Sequence, residues 1–129
     1  ERQSQNAIKV SEFLEHHKNV SKVIYPNNTD KNKKYFNKKL YGNLIGFHID
    51  KGYEACKTFI DKLKLFYHVA NIGDVRSLAI HPSSTTHSQL SKEDQKKAGV
   101  FDNYIRLSIG IEHINDIIDD LNNALNSIK

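Results

Sequence analysis

Hydrophobic side chains recur at helical spacing in three segments of the chain, which predicts three amphipathic helices. The first spans residues from about 3 to 16, the second follows the turn at 50–52, and the third lies in the last part of the chain. Their apolar stripes are Ala7, Val10, Phe13 and Leu14; Cys56, Phe59, Ile60 and Leu63; and Ile111, Ile114, Ile117, Ile118, Leu121 and Leu125. A further short helix is predicted between a cap at Ser91-x-x-Asp94 and Gly99.

Between these helices, apolar and polar side chains alternate as they do in strands with one buried face. The clearest alternation covers residues 44–49 and 104–109, and shorter strands are predicted at 20–25, 66–69 and 78–80. In the 104–109 strand the aliphatic side chains at 105, 107 and 109 should face the helices, so Tyr104, Arg106 and Ser108 should face the other way.

Helices and short strands interleave without an internal repeat, and a chain of 129 residues has the length of one domain. We therefore expect an α+β fold in which residues 1–129 form a single domain. Its small, mostly antiparallel sheet should be covered on one face by helices.

The net charge of +4 comes from lysine, because the chain has only three arginines. Lysines bracket Tyr35 and Phe36 in one run, at Lys31, Lys33, Lys34, Lys38 and Lys39. Such a run can bind nucleic acid, but a solvated charged face is the commoner arrangement and is favoured here. No nucleic-acid partner is predicted.

A single cysteine, Cys56, excludes an internal disulfide and fits a reducing compartment. Its place on a helical apolar stripe makes it a core residue rather than a nucleophile. No apolar run approaches the roughly 20 residues that span a bilayer, and no signal peptide begins the chain. We expect a cytoplasmic protein without a membrane partner. Methionine is absent even at position 1, so Glu1 is interpreted as an internal position of a longer protein.

Three polar features are candidates for binding chemistry. Arg106 in a strand could hold a carboxylate with two parallel hydrogen bonds, although periodicity alone favours an arginine on a solvated sheet face. Asn71 lies in a turn signature, where its amide either closes the turn or faces a ligand. The 81–88 segment concentrates hydroxyls and two histidines, but a turn that leads to the Ser91 cap is favoured. His81 and His87 have no clear third ligand, so no metal site is predicted.

Four segments, in this order, closely resemble the C-terminal region of the Cys/Met-metabolism pyridoxal-phosphate (PLP) enzymes. They are FYHVANIGDVRSL at 66–78, HPSSTTHSQL at 81–90, AGV at 98–100 and IRLSIGIE at 105–112. The resemblance is strong over residues 66 to 125 and weaker towards the first helix, and the 26–42 stretch matches little. The family includes cystathionine synthases and lyases, methionine γ-lyase and O-acetylhomoserine sulfhydrylase.

The resemblance implies a role for particular residues. Arg106 resembles the family arginine that binds the substrate α-carboxylate, and Asn71 occupies a position that touches the same carboxylate. Thr86 matches a threonine near the substrate. Ala70 stands where cystathionine-type enzymes often carry a glutamate that binds the distal amino group. Alanine lacks that function, so the resemblance is closest to the O-acetylhomoserine sulfhydrylases, which serve methionine biosynthesis.

The same resemblance implies that this chain is the C-terminal domain of a fold-type I PLP enzyme. The Schiff-base lysine and the cofactor-phosphate site precede this region in the family, so no catalytic residue is expected in the chain, which alone should be inactive. The full-length enzyme is expected to be a homotetramer that converts O-acetylhomoserine and sulfide to homocysteine and acetate. The alternatives are a fragment of a cystathionine γ-synthase or methionine γ-lyase relative, and a non-catalytic carboxylate-binding module.

Overall fold

The computed structural model describes residues 1–28, 34–36 and 40–129, and the bounds of its elements follow. The helices are α1 (Arg2–Glu15), α2 (Gly52–Lys62), α3 (Lys92–Lys97) and α4 (Ile114–Asn126). The strands are β1 (Val20–Ile24), β2 (Leu44–Ile49), β3 (Tyr67–His68), β4 (Leu78–Ile80) and β5 (Tyr104–Ser108). Short 3-10 turns occupy Pro26–Asn28 and Pro82–Ser84.

The strands form one five-stranded sheet in the order β1-β2-β5-β4-β3. The β1–β2, β2–β5 and β4–β5 pairs are antiparallel, and only the short edge pair β3–β4 is parallel. The predicted α+β fold with a mostly antiparallel sheet is therefore confirmed. Since β5 lies between β2 and β4, both of its edges are hydrogen-bonded to neighbours.

Helices α1, α2 and α4 pack together against one face of the sheet. The apolar side chains of β2 and β5 that face them are fully buried: Ile45, Phe47, Ile49, Ile105 and Leu107. The predicted alternation in these two strands is confirmed. Cys56 lies in the same core, and burial raises the pKa of its thiol to about 12, as expected for a structural cysteine rather than a nucleophile.

Two predicted helix ends differ in detail from the structure. The cap on α3 is confirmed, because the Ser91 hydroxyl accepts from the Asp94 backbone N–H at 3.2 Å. In return, the Asp94 carboxylate accepts from the Ser91 hydroxyl (2.7 Å), rather than from its backbone as in the usual capping box. The assignment of Ile111 to the last helical stripe was wrong: α4 begins at Ile114, because His113 caps it, and Ile111 is half exposed.

Most of the predicted basic run lies outside the described residues, namely Lys31, Lys33, Lys38 and Lys39. Within that stretch the ammonium of Lys34 lies 4.9 Å from the centre of the Tyr35 ring. The prediction of a solvated charged face therefore stays a prediction. Across the three described ranges, no helix is long and apolar enough to cross a membrane.

Asp120 of α4 anchors the connection that leads from α2 to β3. Its carboxylate, 8% exposed, accepts hydrogen bonds from the backbone N–H groups of Lys64 (2.9 Å), Leu65 (2.9 Å) and Phe66 (3.3 Å). These donors have no strand or helix partner of their own, so the carboxylate replaces the water that they lose on folding. The start of β3 is thereby held beside α4.

We expect Asp120→Asn to destabilise the fold by about 1–3 kcal/mol, because the amide nitrogen of asparagine would face backbone donors that then lack an acceptor. The measurement is urea-induced unfolding of the chain, followed by far-UV circular dichroism. Asp119→Asn is the control, since Asp119 is exposed and its substitution should change the free energy of unfolding by less than about 0.5 kcal/mol. Equal unfolding midpoints for the two variants would contradict the anchoring role.

Candidate functional site

Arg106 lies at the middle of β5, on the sheet face that points away from the helices. It pairs with Gly46 of β2 on one side and with Ile80 of β4 on the other. The side chain is half-buried, and its Nη2 donates to the backbone carbonyl of Ala70 at 2.8 Å. A guanidinium has five N–H donors, and within the described residues Arg106 uses no others. Most of its donors are therefore available to an anion.

Tyr104 shares this face and lies next to Arg106. Its ring covers Gly46 so closely that a Cβ on Gly46 would overlap the phenol. The centre of the His48 ring lies 5.3 Å from the centre of the Tyr104 ring. Burial raises the pKa of the Tyr104 phenol, and the charge of Arg106 partly opposes that shift. The glycine thus gives the aromatic ring room beside the arginine.

The loop of residues 69–77, called here the 69–77 loop, connects β3 to β4 and approaches Arg106. At the position of the predicted turn the chain bends at Gly73, which adopts a left-handed φ of +80°. Asn71 is exposed, and its side chain makes no hydrogen bond to any residue that the structure describes. Because Asn71 follows Ala70 directly, the Arg106–Ala70 bond brings the arginine beside the Asn71 position.

Side chains and backbone groups far away in the sequence hold this loop in place. The Gly73 N–H donates to Ser108 Oγ at 3.2 Å, and the Gln3 amide donates to the Asp74 carbonyl at 2.7 Å. The Ile111 N–H donates to the Val75 carbonyl at 2.9 Å. The loop is thereby fixed to the end of β5 and to the start of α1.

A polar clamp formed by Ser77, Glu112 and Gly110 closes the C-terminal end of the loop. Glu112 accepts from the Ser77 backbone N–H at 2.7 Å and from the Ser77 hydroxyl at 2.9 Å. The same hydroxyl accepts from the Gly110 N–H at 2.9 Å. Sequence reasoning missed this clamp, because its members lie outside the regular strands and are up to 35 residues apart. No periodic pattern marks such residues.

Thr86 makes a local contact with the residue that follows it. Its side chain is exposed, and its hydroxyl lies 2.8 Å from Nδ1 of His87. Within the described ranges it forms no hydrogen bond with Arg106 or Asn71. The structure joins Arg106 to Ala70, the residue before Asn71, and the place of Thr86 near a substrate stays a prediction.

The histidines of the 81–88 segment take part in local structure. The buried His81 ring donates from Nε2 to the Asp102 carbonyl at 2.8 Å, while Nδ1 lies 2.9 Å from Ser84 Oγ. Burial lowers the pKa of His81, which favours the neutral ring. In the part of the chain that the structure describes, no group of three or more His, Cys, Asp or Glu side chains could hold a metal ion.

The lysines decide whether this chain could hold PLP by itself. A lysine that forms an imine must lose its proton readily, which requires a desolvated pocket or a neighbouring cation. Every lysine that the structure describes is instead exposed to solvent. The described residues therefore do not fit the cofactor as a resident group of this chain.

Comparisons with known proteins agree in pointing to one family. The profile of the Cys/Met metabolism PLP-dependent enzymes matches residues 1–126. The chain is 52% identical to the O-acetyl-L-homoserine sulfhydrylase of Leptospira meyeri over 133 residues, covering 99% of this chain and 30% of that protein. It is 40% identical to an L-methionine gamma-lyase of Fusobacterium nucleatum subsp. polymorphum over 131 residues, covering 99% of this chain and 33% of the relative.

A solved structure shows the same fold. The crystal structure of an O-acetylhomoserine (thiol)-lyase from Campylobacter jejuni, which contains a pyridoxyl-lysine phosphate group, superposes with a TM-score of 0.91 at 46% identity. The match covers 98% of this chain and 31% of that one, so the chain spans about a third of the length of the proteins it resembles. Because the family profile matches almost the whole chain, the chain belongs to the Cys/Met metabolism PLP-dependent enzymes.

Proposed function

We propose that the chain is the C-terminal, substrate-binding domain of an O-acetylhomoserine sulfhydrylase. This transferase replaces the acetate of O-acetylhomoserine by sulfide and produces homocysteine for methionine biosynthesis in the cytoplasm. The identity to the Leptospira meyeri sulfhydrylase supports this choice, as does the similarity to the Campylobacter jejuni protein. In this proposal residues 1–129 form one domain, and the rest of the enzyme precedes it.

The position of Arg106 is the observation that carries the proposal. The guanidinium is anchored through Nη2 on the Ala70 carbonyl, so its plane is oriented before any ligand arrives. Its remaining N–H groups form a planar fork that matches the two oxygens of a carboxylate. We assign Arg106 the substrate α-carboxylate, which every amino-acid substrate of such an enzyme carries.

Asn71 and Ala70 determine what else the site accepts. Asn71 is exposed and directly follows Ala70, so we propose that its amide donates a second hydrogen bond to the same carboxylate. The methyl group of Ala70 offers no charge to a distal ammonium group, which disfavours cystathionine. Thr86 is assigned to the substrate region from the family resemblance.

We further propose that the rest of the enzyme binds the cofactor. The described lysines are exposed, so in this proposal the chain forms no bond to PLP. Its contribution is to orient the substrate. The chain alone is then inactive. Its partners are the amino-acid substrate, the rest of its own polypeptide and the other subunits of a homotetramer.

Methionine γ-lyase is the second candidate, because two relatives that are 39% and 40% identical are L-methionine gamma-lyases. Both activities need the same carboxylate contact, so the Arg106 geometry does not separate them. Substrate preference separates the two activities.

We expect the full-length enzyme that contains this chain to use O-acetylhomoserine with sulfide far better than it cleaves cystathionine, because Ala70 leaves a distal ammonium group unpaired. We expect the same preference over methionine, because the chain is 52% identical to a sulfhydrylase and 40% identical to a methionine gamma-lyase. The measurement is kcat/KM for the three substrates. A preference for methionine would instead identify the lyase, and a preference for cystathionine would refute the argument from Ala70.

Arg106→Ala should reduce kcat/KM of the full-length enzyme by about 30- to 1000-fold, because losing a charged hydrogen-bond partner in a partly desolvated site costs on the order of 2–4 kcal/mol. Arg106→Lys should recover only part of this loss, since an ammonium keeps the charge but lacks the planar fork. The cofactor absorbance should persist in both variants, because the cofactor is held elsewhere.

Lys96→Ala is the matched control, since Lys96 is an exposed cation on α3 and its loss should leave kcat/KM within about threefold of wild type. If Arg106→Ala also stays within about threefold, a change of roughly 0.7 kcal/mol, Arg106 does not bind the carboxylate.

Incubating the isolated chain with PLP should produce no specific absorbance in the visible region, because its described lysines are exposed and lack the desolvated pocket that imine formation requires. The measurement is a visible spectrum, followed by borohydride reduction and peptide mass spectrometry. A stoichiometric reduced adduct at one particular lysine would show that the cofactor site lies within this chain.

A further inference from the structure

We propose that Glu112 is a positioning residue for the substrate site. Its carboxylate fixes the C-terminal end of the 69–77 loop, and the loop in turn presents the Ala70 carbonyl to Arg106. This inference rests on the proposed carboxylate-binding role of Arg106. It adds Glu112 as the residue that helps to hold the Ala70 carbonyl, which accepts the hydrogen bond from Arg106, in place.

Both oxygens of the Glu112 carboxylate are used by one residue, since Oε1 accepts from the Ser77 backbone and Oε2 from the Ser77 hydroxyl. Ser77 is fully buried, so these donors have no water to replace a lost acceptor. Hydrogen bonds to an ionised acceptor are about twice as strong as neutral ones. A single carboxylate thus fixes both the backbone and the side chain where the loop ends.

The clamp also connects the loop to the segment that follows β5. The Ser77 hydroxyl that donates to Glu112 also accepts from the Gly110 N–H, two residues after β5 ends. A Cβ on Gly110 would overlap the Glu112 carboxylate and the Val75 carbonyl, so the loop, the clamp and this segment are in direct contact. The strand that carries Arg106 and the loop that anchors it are therefore joined at their ends by the clamp.

The 69–77 loop is hydrogen-bonded to the rest of the domain mainly in its second half. Hydrogen bonds hold it at Gly73, Asp74, Val75 and Ser77, whereas Ala70, Asn71 and Ile72 are exposed. The Ala70 carbonyl is positioned from two sides: by β3, which ends at His68 and whose Tyr67 N–H donates to the Ser77 carbonyl at 3.1 Å, and by the bonded half of the loop. If the bonded half of the loop loosens, the Ala70 carbonyl no longer gives Arg106 a fixed acceptor. The Arg106 side chain is then more mobile before a substrate binds, and ordering it on binding costs more conformational entropy.

The test is Glu112→Gln in the full-length, cofactor-loaded enzyme that contains this chain. Glutamine has nearly the same shape but one acceptor oxygen, so its amide nitrogen faces a Ser77 donor. We expect KM for the amino-acid substrate to rise and kcat/KM to fall by about 10-fold, the effect of roughly one lost charge-assisted hydrogen bond. Amide hydrogen exchange at Ser77 and Gly110 should accelerate. Glu93→Gln, at an exposed position on α3, is the control and should change neither measurement.

A double-mutant comparison separates positioning from a general loss of structure. If Glu112 acts through Arg106, adding Glu112→Gln to Arg106→Ala should lower kcat/KM by less than about twofold. An equal loss in both backgrounds, or no loss in the single variant, overturns the positioning role. Should Glu112→Gln prevent folding, Ser77→Ala removes only the hydroxyl part of the clamp and is judged by the same two criteria.

The comparison also distinguishes the two proposals. A severe effect of Arg106→Ala together with an unchanged Glu112→Gln enzyme overturns the positioning role alone. An Arg106→Ala enzyme with normal kcat/KM overturns the carboxylate-binding role, and the positioning role that rests on it falls as well.

Discussion

The two-residue period of the central strand is the constraint on which the rest of this structure depends. β5 is hydrogen-bonded along both edges, so each of its side chains points to one face of the sheet or to the other. Ile105 and Leu107 are fully buried against the helices, so Arg106 must point to the opposite face. Burial of these two aliphatic side chains stabilises the fold by about 2 kcal/mol each. This stabilisation opposes any slip in strand register that would exchange the two faces. The same packing that stabilises the domain therefore orients its candidate ligand-binding residue.

Small residues surround the arginine where larger ones would obstruct it. Gly46, directly across from Arg106, leaves space for the Tyr104 ring, and Ala70 approaches the guanidinium through its backbone carbonyl. The resulting surface presents an oriented cation beside an aromatic ring, and Asn71, the residue after Ala70, is exposed. Such an arrangement suits a small anion whose position must be controlled, which is what a substrate carboxylate requires.

The 69–77 loop shows how an irregular segment can be ordered without a hydrophobic core of its own. Several of its apolar side chains are exposed, among them Ile72 and Val75. Its order comes from polar groups at both ends of the chain, with Gln3 near the start and Glu112 before the last helix. These hydrogen bonds satisfy backbone groups that no strand or helix satisfies. The loop can therefore expose Asn71 to a ligand and still be held by the domain.

The sequence by itself determined the helices, the strands and the face on which Arg106 lies, because periodicity follows from local backbone geometry. It also carried the resemblance that the family profile confirmed over residues 1–126. It placed Ile111 in a helix wrongly, since spacing alone cannot show that His113 caps the helix first. Only the tertiary structure decided that Arg106 is anchored on Ala70 and that Glu112 binds Ser77. Those contacts join residues up to 36 positions apart, and they depend on how loops cross the end of a folded sheet, which no local pattern encodes.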